Sequence, residues 1–231
     1  MKQKLTDESR LEQTDSHIHI EFKRAHHILS SAVLNGGLQQ AQHILNMRVE
    51  KHDSPNEAPE TTLENYCRHA GWQGQCIGLM TAASMQSLAV EQASIQGVEI
   101  AVLVTTGLTN PRRVGDRAEY RQIATKSLKA GTINIIVITS ASLTQAAMVE
   151  AVQIITEAKA AAVQQAGIVS PVSGKIATGT GTDAVAMASG SGERVHYCGK
   201  HVLFGEVLGR LVKEAVIRSI KLEENLSTRG S

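Results

Sequence analysis

The sequence predicts an α/β or α+β domain, a mixed β-sheet layered with long helices in a single unit. Three observations carry this. VEIAVLVTT (98–106) and INIIVIT (133–139) are continuous apolar runs of strand length, as strands buried on both faces are. Residues 144–166 and 202–222 repeat apolar side chains at helical spacing. Strand-like and helix-like segments also interleave along the chain, the pattern of a layered domain.

In chain order, HIHIEF (17–22) alternates as a half-buried strand does, and HILSSAVL (27–34) reads as a second strand ending at Asn35-Gly36-Gly37. Residues 38–47 read as a short helix. Residues 51–62, with two of the four prolines, read as an exposed loop. CIGLMTAA (76–83) is a strand-length apolar run. Ser84 is placed to cap a helix reaching Gln96, with Gly97 just beyond its end. In the segment 144–166, Met148, Val152, Ile155, Ala162 and Ala166 share a face, and Gly167 closes it. TDAVAMAS (182–189) is a further strand. The last helix shows Leu208, Leu211, Val212, Ala215 and Leu222 on one side, and the residues after Glu223 read as a fraying tail. The expected division is a polar segment with the first strand (1–28), a main domain (29–222) and a flexible tail (223–231).

Composition narrows the function classes. The 231 residues carry a formal charge of +1, which argues against a protein that binds by neutralising nucleic-acid phosphates. No apolar run reaches the roughly 18 residues of a membrane span, and the first sixteen residues lack the apolar core of a signal peptide. Cys67, Cys76 and Cys198 are odd in number and share no CxxC spacing, which suits free thiols in a cytoplasmic setting. Only Phe22, Tyr66, Trp72, Tyr120, Tyr197 and Phe204 are aromatic, against 19 glycines. A ligand must therefore be held mainly by backbone, hydroxyl and amide groups.

Several motifs could carry chemistry. Asn35-Gly36-Gly37 frees the backbone for a tight turn, its commoner use, or for close approach to a ligand. TGLTNPRRVGD (106–116) sets Asn110, Arg112 and Arg113 at the carboxyl end of the strongest strand, where ligands of open α/β sheets bind; the alternative is a solvated loop. Thr132 and Asn134, two apart at a strand start, face the same side. Thr132 could be a nucleophile if a base lay beside it, or simply a good strand residue. Asn134 is polar in an apolar run and calls for a partner. TGTGTDAV (178–185) is dense in glycine and hydroxyls. Its Asp183 sits where strands are depleted in Asp, either as an acid–base group or as a cap for loop amides. Lys200 and His201 stand at the start of the last helix, where a cation is disfavoured by the dipole, and His201 has the ordinary pKa of an acid–base group. Glu206 and Arg210 suit an i,i+4 ion pair. Lys159 shares the apolar face of its helix, either snorkelling or meeting a buried partner. His17-Ile18-His19 has the HxH spacing of barrel amidohydrolases, but no repeat of βα units follows, and an alternating strand accounts for it. No His, Cys or carboxylate cluster has clean ligand spacing, so no metal site is expected.

Taken together, LSSAVLNGG, GLMTAAS, VLVTTGLTNPRR-GD, GTINIIVIT with its following EAKAAA helix, ATGTGTDAV and GKH-LFGE-LG resemble the adenosylcobinamide amidohydrolases of cobalamin salvage, from about Leu29 to Arg210. The resemblance implies cleavage of the amide joining the aminopropanol arm to the corrin ring, giving adenosylcobyric acid. The partner would be a corrinoid small molecule. Cobalt would arrive with the substrate, with no other cofactor required. No nucleic acid or membrane insertion is implied, and monomer and homo-oligomer both stay open. Residue chemistry then suggests Asp183 or His201 as general base or acid, and Thr132 as nucleophile or oxyanion donor. Asn134 and the loop amides around Thr180 and Thr182 would serve the oxyanion. Asn35, with Gly36 beside it, and Asn110 would meet the corrin carboxamides, and Arg112 and Arg113 an arm phosphate. Lys200 would meet an anionic group. Two other classes compete: a corrinoid-binding protein without hydrolysis, and a threonine-nucleophile amidase or acyltransferase acting on another amide. The last predicts a covalent intermediate on Thr132 or self-cleavage before it.

Overall fold

The computed structural model describes residues 2–49, 57–119 and 132–229. Among these, nine strands form one mixed sheet. β1 (Lys2–Thr6) and β2 (Ser9–Gln13) make a hairpin that pairs with the first half of β3 (His17–Ser30). β4 (Gly37–Arg48) runs antiparallel along the other edge of β3 and carries β5 (Cys76–Thr81) parallel to itself. Beyond a register shift between Glu21 and His26, β3 exchanges β2 for β12 (Ala184–Ser189), and the sheet continues through β9 (Ile133–Thr139), β7 (Val98–Thr106) and β6 (Ala89–Ile95). Two small ribbons complete the set: β8 (Pro111–Arg112) against β11 (Gly179–Thr180), and β10 (Ser142–Leu143) against β13 (Arg194–Val195).

The two-residue period of the strands sorts side chains into layers. Ile100, Val102 and Val104 of β7 and Ile133, Ile135 and Val137 of β9 pack under the helices α2 (Gln145–Gln165) and α3 (Leu203–Arg229). Their neighbours Ala101, Leu103, Ile136 and Ile138 face the other way, onto Ile20, Ile44, Ile77 and Leu79. The bend in β3 thus folds the sheet over itself. On the far side, Leu63 of α1 (Pro59–His69) covers Leu45 and Met47 of β4. The stack is α–β–β–α, and the two continuous apolar runs are central strands buried on both faces, as the sequence predicts.

Five elements differ from expectation. Residues 17–34 do not form two strands: β3 runs unbroken from His17 to Ser30, and the bulge takes the place of a turn. Residues 38–47 are strand, not helix. Gln39, Gln40 and Gln42 suit a helix, but pairing with β3 and β5 and burial of both faces from Ile44 to Met47 override local propensity. Ser84 does cap a turn, accepting from Gln86 N at 3.2 Å, but this is a single 3-10 turn (Met85–Ser87), followed by β6. Gln96 (φ 49°) and Gly97 (φ 82°) then make the left-handed two-residue turn of a β6–β7 hairpin. In the expected loop, residues 51–56 lie outside the described residues, and Pro59 opens α1, its missing N–H costing nothing at a first helical position. The last helix continues past Leu222 to Arg229, and Arg210 pairs with Glu214 at 3.3 Å rather than with Glu206.

Under α1 lies a cluster of rings. His19 stacks on Trp72 at 3.6 Å and 8°, and shares a hydrogen bond with His43 (3.1 Å). His43 Nε2 donates to Gln73 O at 2.8 Å. That fixes its tautomer, so His19 donates to His43 Nδ1. His17 meets Tyr66 Oη at 2.7 Å. Burial, reinforced by His43 and His17, pushes the His19 imidazole down to about 3, and burial lowers His17 as well. The unfolded ring takes its proton at its ordinary value of 6.5. The neutral folded ring therefore contributes stability that is complete above that value and is lost as pH falls toward 3. Thermal unfolding followed between pH 7.5 and pH 4 should show a falling midpoint. His19→Phe, which keeps the stack on Trp72, should flatten that slope, and an unchanged slope would remove His19 as its source.

Candidate active site

At one end of the folded sheet, polar side chains replace the apolar ones between its two layers. Asn134, directly opposite Thr105 in the β7–β9 register, points into this interlayer with Asn46 of β4. Asn134 Nδ2 donates to Asn46 Oδ1 (2.8 Å) and to Met80 O (2.9 Å), and Asn46 Nδ2 donates to Thr105 Oγ1 (2.9 Å). All three side chains are buried, so each missing bond would cost about 1–3 kcal/mol. Thr132, one residue before β9 and 3% exposed, joins this network: its Oγ1 lies 3.0 Å from Asn134 Oδ1 and 2.8 Å from Thr182 O. Both neighbours are acceptors, so they hold the hydroxyl proton. No donor reaches this oxygen among the described residues, and its lone pairs stay open.

Asp183 lies on the other side of the same strand end, toward α2. Its Oδ1 accepts from Ile133 N (3.0 Å), Thr180 N (3.1 Å) and Thr180 Oγ1 (2.6 Å), while Oδ2 takes the Lys159 ammonium. The side chains of Lys159 and Asp183 are only 12% and 10% exposed. A carboxylate offers about four lone-pair sites, and these donors fill them. Asp183 is therefore built to fix the loop at Thr180 and the backbone at Ile133, immediately after Thr132. Gly179 is obligatory beside it, because a Cβ there would sit 2.1 Å from Asp183 Oδ2 and 2.8 Å from Lys159 Nζ.

The other residues singled out in the sequence divide into two groups. Asn110 reaches the same loop, its Nδ2 lying 3.0 Å from where a Cβ on Gly181 would be, and its buried Oδ1 has no hydrogen-bond partner among the described residues. Thr180 and Thr182 are bound into the network as described. Arg112 sits on the β8–β11 ribbon with Glu119 at 3.5 Å, and Arg113 Nη1 donates to Ile176 O at 2.9 Å. Away from this network, Asn35 adopts φ 55° in the β3–β4 turn and donates to Cys76 O at 2.8 Å. Gly36 has Ala32 O 2.5 Å from its would-be Cβ, a tight-turn constraint. Lys200 pairs with Glu157 on α2 at 2.6 Å, with both side chains more than half exposed, and His201 is exposed beside it. The structure thus joins Thr132, Asn134, Asp183, Thr180, Thr182 and Asn110, and leaves Lys200 and His201 on the outer helix face. Lys159 belongs to the cluster, and Asn46 and Thr105 were not foreseen. Asn46 stands in an apolar run, ILNM, and such an isolated Asn is the signal that could have found it.

The chain matches the family described as adenosylcobinamide amidohydrolase over residues 2–228. It is 31% identical over 210 residues to the adenosylcobinamide amidohydrolase of Methanosarcina mazei, covering 87% of this chain and 90% of that protein. It is 36% identical over 162 residues to an uncharacterised protein of Methanocaldococcus jannaschii, spanning 64% of each. Among solved structures, a protein of Pyrococcus horikoshii matches 92% of this chain and 78% of its own with a TM-score of 0.46 and 11% identity. A Burkholderia β-aminopeptidase matches 90% and 78% with a TM-score of 0.44 and 12% identity.

Breaking the Lys159–Asp183 pair from one side strands a buried charge, so Lys159→Met and Asp183→Leu should each cost about 3–5 kcal/mol. In a chain of this size that is a drop of about 10 °C or more in the unfolding midpoint. The double variant should be less damaged than the sum of the two. Strict additivity in that cycle would mean the pair is not the source of the loss.

Proposed function

Because the chain belongs to the adenosylcobinamide amidohydrolase family, we propose that it hydrolyses the amide joining the aminopropanol arm of adenosylcobinamide to the corrin ring. The products are adenosylcobyric acid and the amino alcohol, which returns a salvaged corrinoid to a form that can be given a new arm. The observation that carries the site assignment is the Thr132 hydroxyl, which gives its proton to carbonyl oxygens and leaves its lone pairs open at the end of two buried strands. Thr132 Oγ1 attacks the amide carbon; Asn134 Oδ1 and Thr182 O orient its proton, and in place of a side-chain base the departing amide nitrogen takes that proton as the C–N bond breaks. The proton released by Thr132 leaves on the amino alcohol. Water then cleaves the Thr132 ester to the acid and restores the hydroxyl.

The remaining groups hold this arrangement. Asp183, saturated by Ile133, Thr180 and Lys159, is a positioning residue that fixes the backbone next to the nucleophile rather than a proton acceptor. Asn110 keeps an unpartnered buried oxygen for a substrate N–H, and the corrin rim supplies carboxamides that could fill it. Asn134 commits its amide to Asn46 and Met80, so it orients Thr132 and donates nothing to an oxyanion. His201 has no part in the reaction. The reaction proposed here assigns no role to a protein-bound metal; among the described residues, no three His, Cys, Asp or Glu side chains gather as a ligand set.

Incubating the enzyme with adenosylcobinamide and following loss of aminopropanol by mass spectrometry tests the reaction itself. Thr132→Val keeps the shape and removes the hydroxyl, and should lower the rate by at least a thousandfold with the fold intact. His201→Ala should stay within a few-fold of wild type. Activity of Thr132→Val within tenfold of wild type would eliminate the nucleophile assignment. A chelator should leave the rate unchanged, and a loss restored by added metal would overturn the metal-free reading.

A further inference from the structure

Between the last turn of α1 and the start of β5 the chain makes a short excursion that begins at Cys67, ends at Cys76 and carries the single tryptophan, Trp72. The two cysteines come together beneath the helix. Cys76 is 5% exposed and packs in one apolar cluster with Leu45, Met47 and Leu63, and the half-buried Cys67 packs against that cluster. A side-chain hydrogen bond joins the two sulfurs. Cysteines whose side chains point apart cannot be bridged, and these point at each other. The bond from Cys76 lowers the Cys67 thiol below its ordinary value, and the same bond together with burial pushes Cys76 up. The more accessible sulfur is therefore also the one that ionises first, as an attacking thiol requires. Cys198 is the contrast. It is wholly buried, no second thiol adjoins it, and burial and Glu150 push it up to about 12.

The segment between the two cysteines is already laid down on the sheet. Tyr66, beside Cys67, reaches His17 at 2.7 Å. Trp72 lies on His19, its N–H donating to Cys67 O at 3.4 Å. Gln73 O accepts from His43, and Gln75 exchanges hydrogen bonds with Gln42 (3.0 and 3.2 Å). Gly71 (φ 73°) and Gly74 (φ 99°) supply the left-handed bends this path needs. The thiols are thus presented to each other by contacts on both sides of them.

We propose that Cys67 and Cys76 are a reversible thiol–disulfide pair, closed by a low-molecular-weight disulfide, that clamps Trp72 and the end of α1 onto the histidine face of the sheet. Cys67, as thiolate, attacks one sulfur of the reagent disulfide and expels the other as a thiolate. Cys76 then gives up its proton, attacks the Cys67 sulfur and expels the second reagent thiolate. Two protein thiols are oxidised to one S–S bond, the reagent S–S bond is reduced to two thiols, and the two protein protons end on those thiols. The second step joins groups already in contact, so it outpaces attack by an external thiol. The closed loop is about ten residues long, and removing its freedom from the unfolded chain raises the unfolding midpoint by about 5 °C.

The test equilibrates the wild type in mixtures of oxidised and reduced glutathione, quenches with acid and maps the digested chain by mass spectrometry. Cys67 and Cys76 should be recovered linked, with Cys198 still a thiol. Trp72 emission should fall in step with the linkage, because a disulfide quenches a neighbouring indole, and dithiothreitol should restore it. The oxidised protein should unfold about 5 °C above the reduced one. Cys67→Ser and Cys76→Ala should each abolish the emission change and the rise in midpoint, and Cys198→Ala should keep both. Free Cys67 and Cys76 in fully oxidised buffer, a linkage through Cys198, or glutathione retained on Cys67 without transfer to Cys76 overturns the pair. A linked pair with an unchanged midpoint overturns the clamp. The wild-type map decides the linkage even if the Cys76→Ala chain fails to fold.

Discussion

One carboxylate determines where the central strands end. β9 and β12 are parallel neighbours whose starts would leave main-chain N–H groups exposed in an apolar interior. Asp183 takes the N–H of Ile133 from one strand and that of Thr180 from the loop leading into the other, and Lys159 on α2 balances its charge. A helix, a loop and two strands are pinned at one point. Because the pair is buried, its worth lies less in net stability than in specificity: no other register of β9 against β12 would bring Ile133 N to that oxygen.

The same register fixes which way the chemistry faces. Side chains alternate across a strand, so Ile133 turns to α2 and α3 while Thr132 and Asn134 turn into the space between the sheet layers. Asp183 and Thr132 are therefore close through the backbone but lie on opposite faces of the sheet. The carboxylate can set the position of the hydroxyl without touching a substrate held in the interlayer. This division separates a charged anchor, desolvated and saturated, from the hydroxyl proposed as nucleophile, whose lone pairs stay open.

Residues whose environment is set by short-range pattern were legible in the sequence. The buried runs 98–106 and 133–139, the helical segment 144–166 and the pairing of Thr132 with Asn134 on one face all follow from period and residue type. Lys159 could be narrowed to a snorkelling or a buried lysine, and only the fold says that its partner is Asp183. Residues 38–47 and 89–95 were misread because Gln, Glu and Ala favour helix locally, while strand pairing with β3, β5 and β7 comes from distant parts of the chain. A cation at a helix start is anomalous, and in the sequence this points to an anionic partner for Lys200. The anomaly is resolved by Glu157, two residues from Lys159 on α2 but on another face, which no spacing rule predicts.

The scarcity of aromatic residues takes on a spatial meaning in the fold. Tyr66 and Trp72 are spent on His17, His19 and His43 beneath α1, Phe22 stacks on His26 at 4.2 Å, and Phe204 lies in the helix-side core. The described residues around Thr132 are threonines and asparagines. The contacts these described residues offer a large flat ligand are therefore to its edge. An edge of carboxamides offers both donors and acceptors, and an amide such as that of Asn110 can serve as either. Such contacts are weak singly and demanding in geometry. That favours a mouth whose walls are fixed in advance, and the buried Asn46–Asn134–Thr105 network supplies that rigidity from behind.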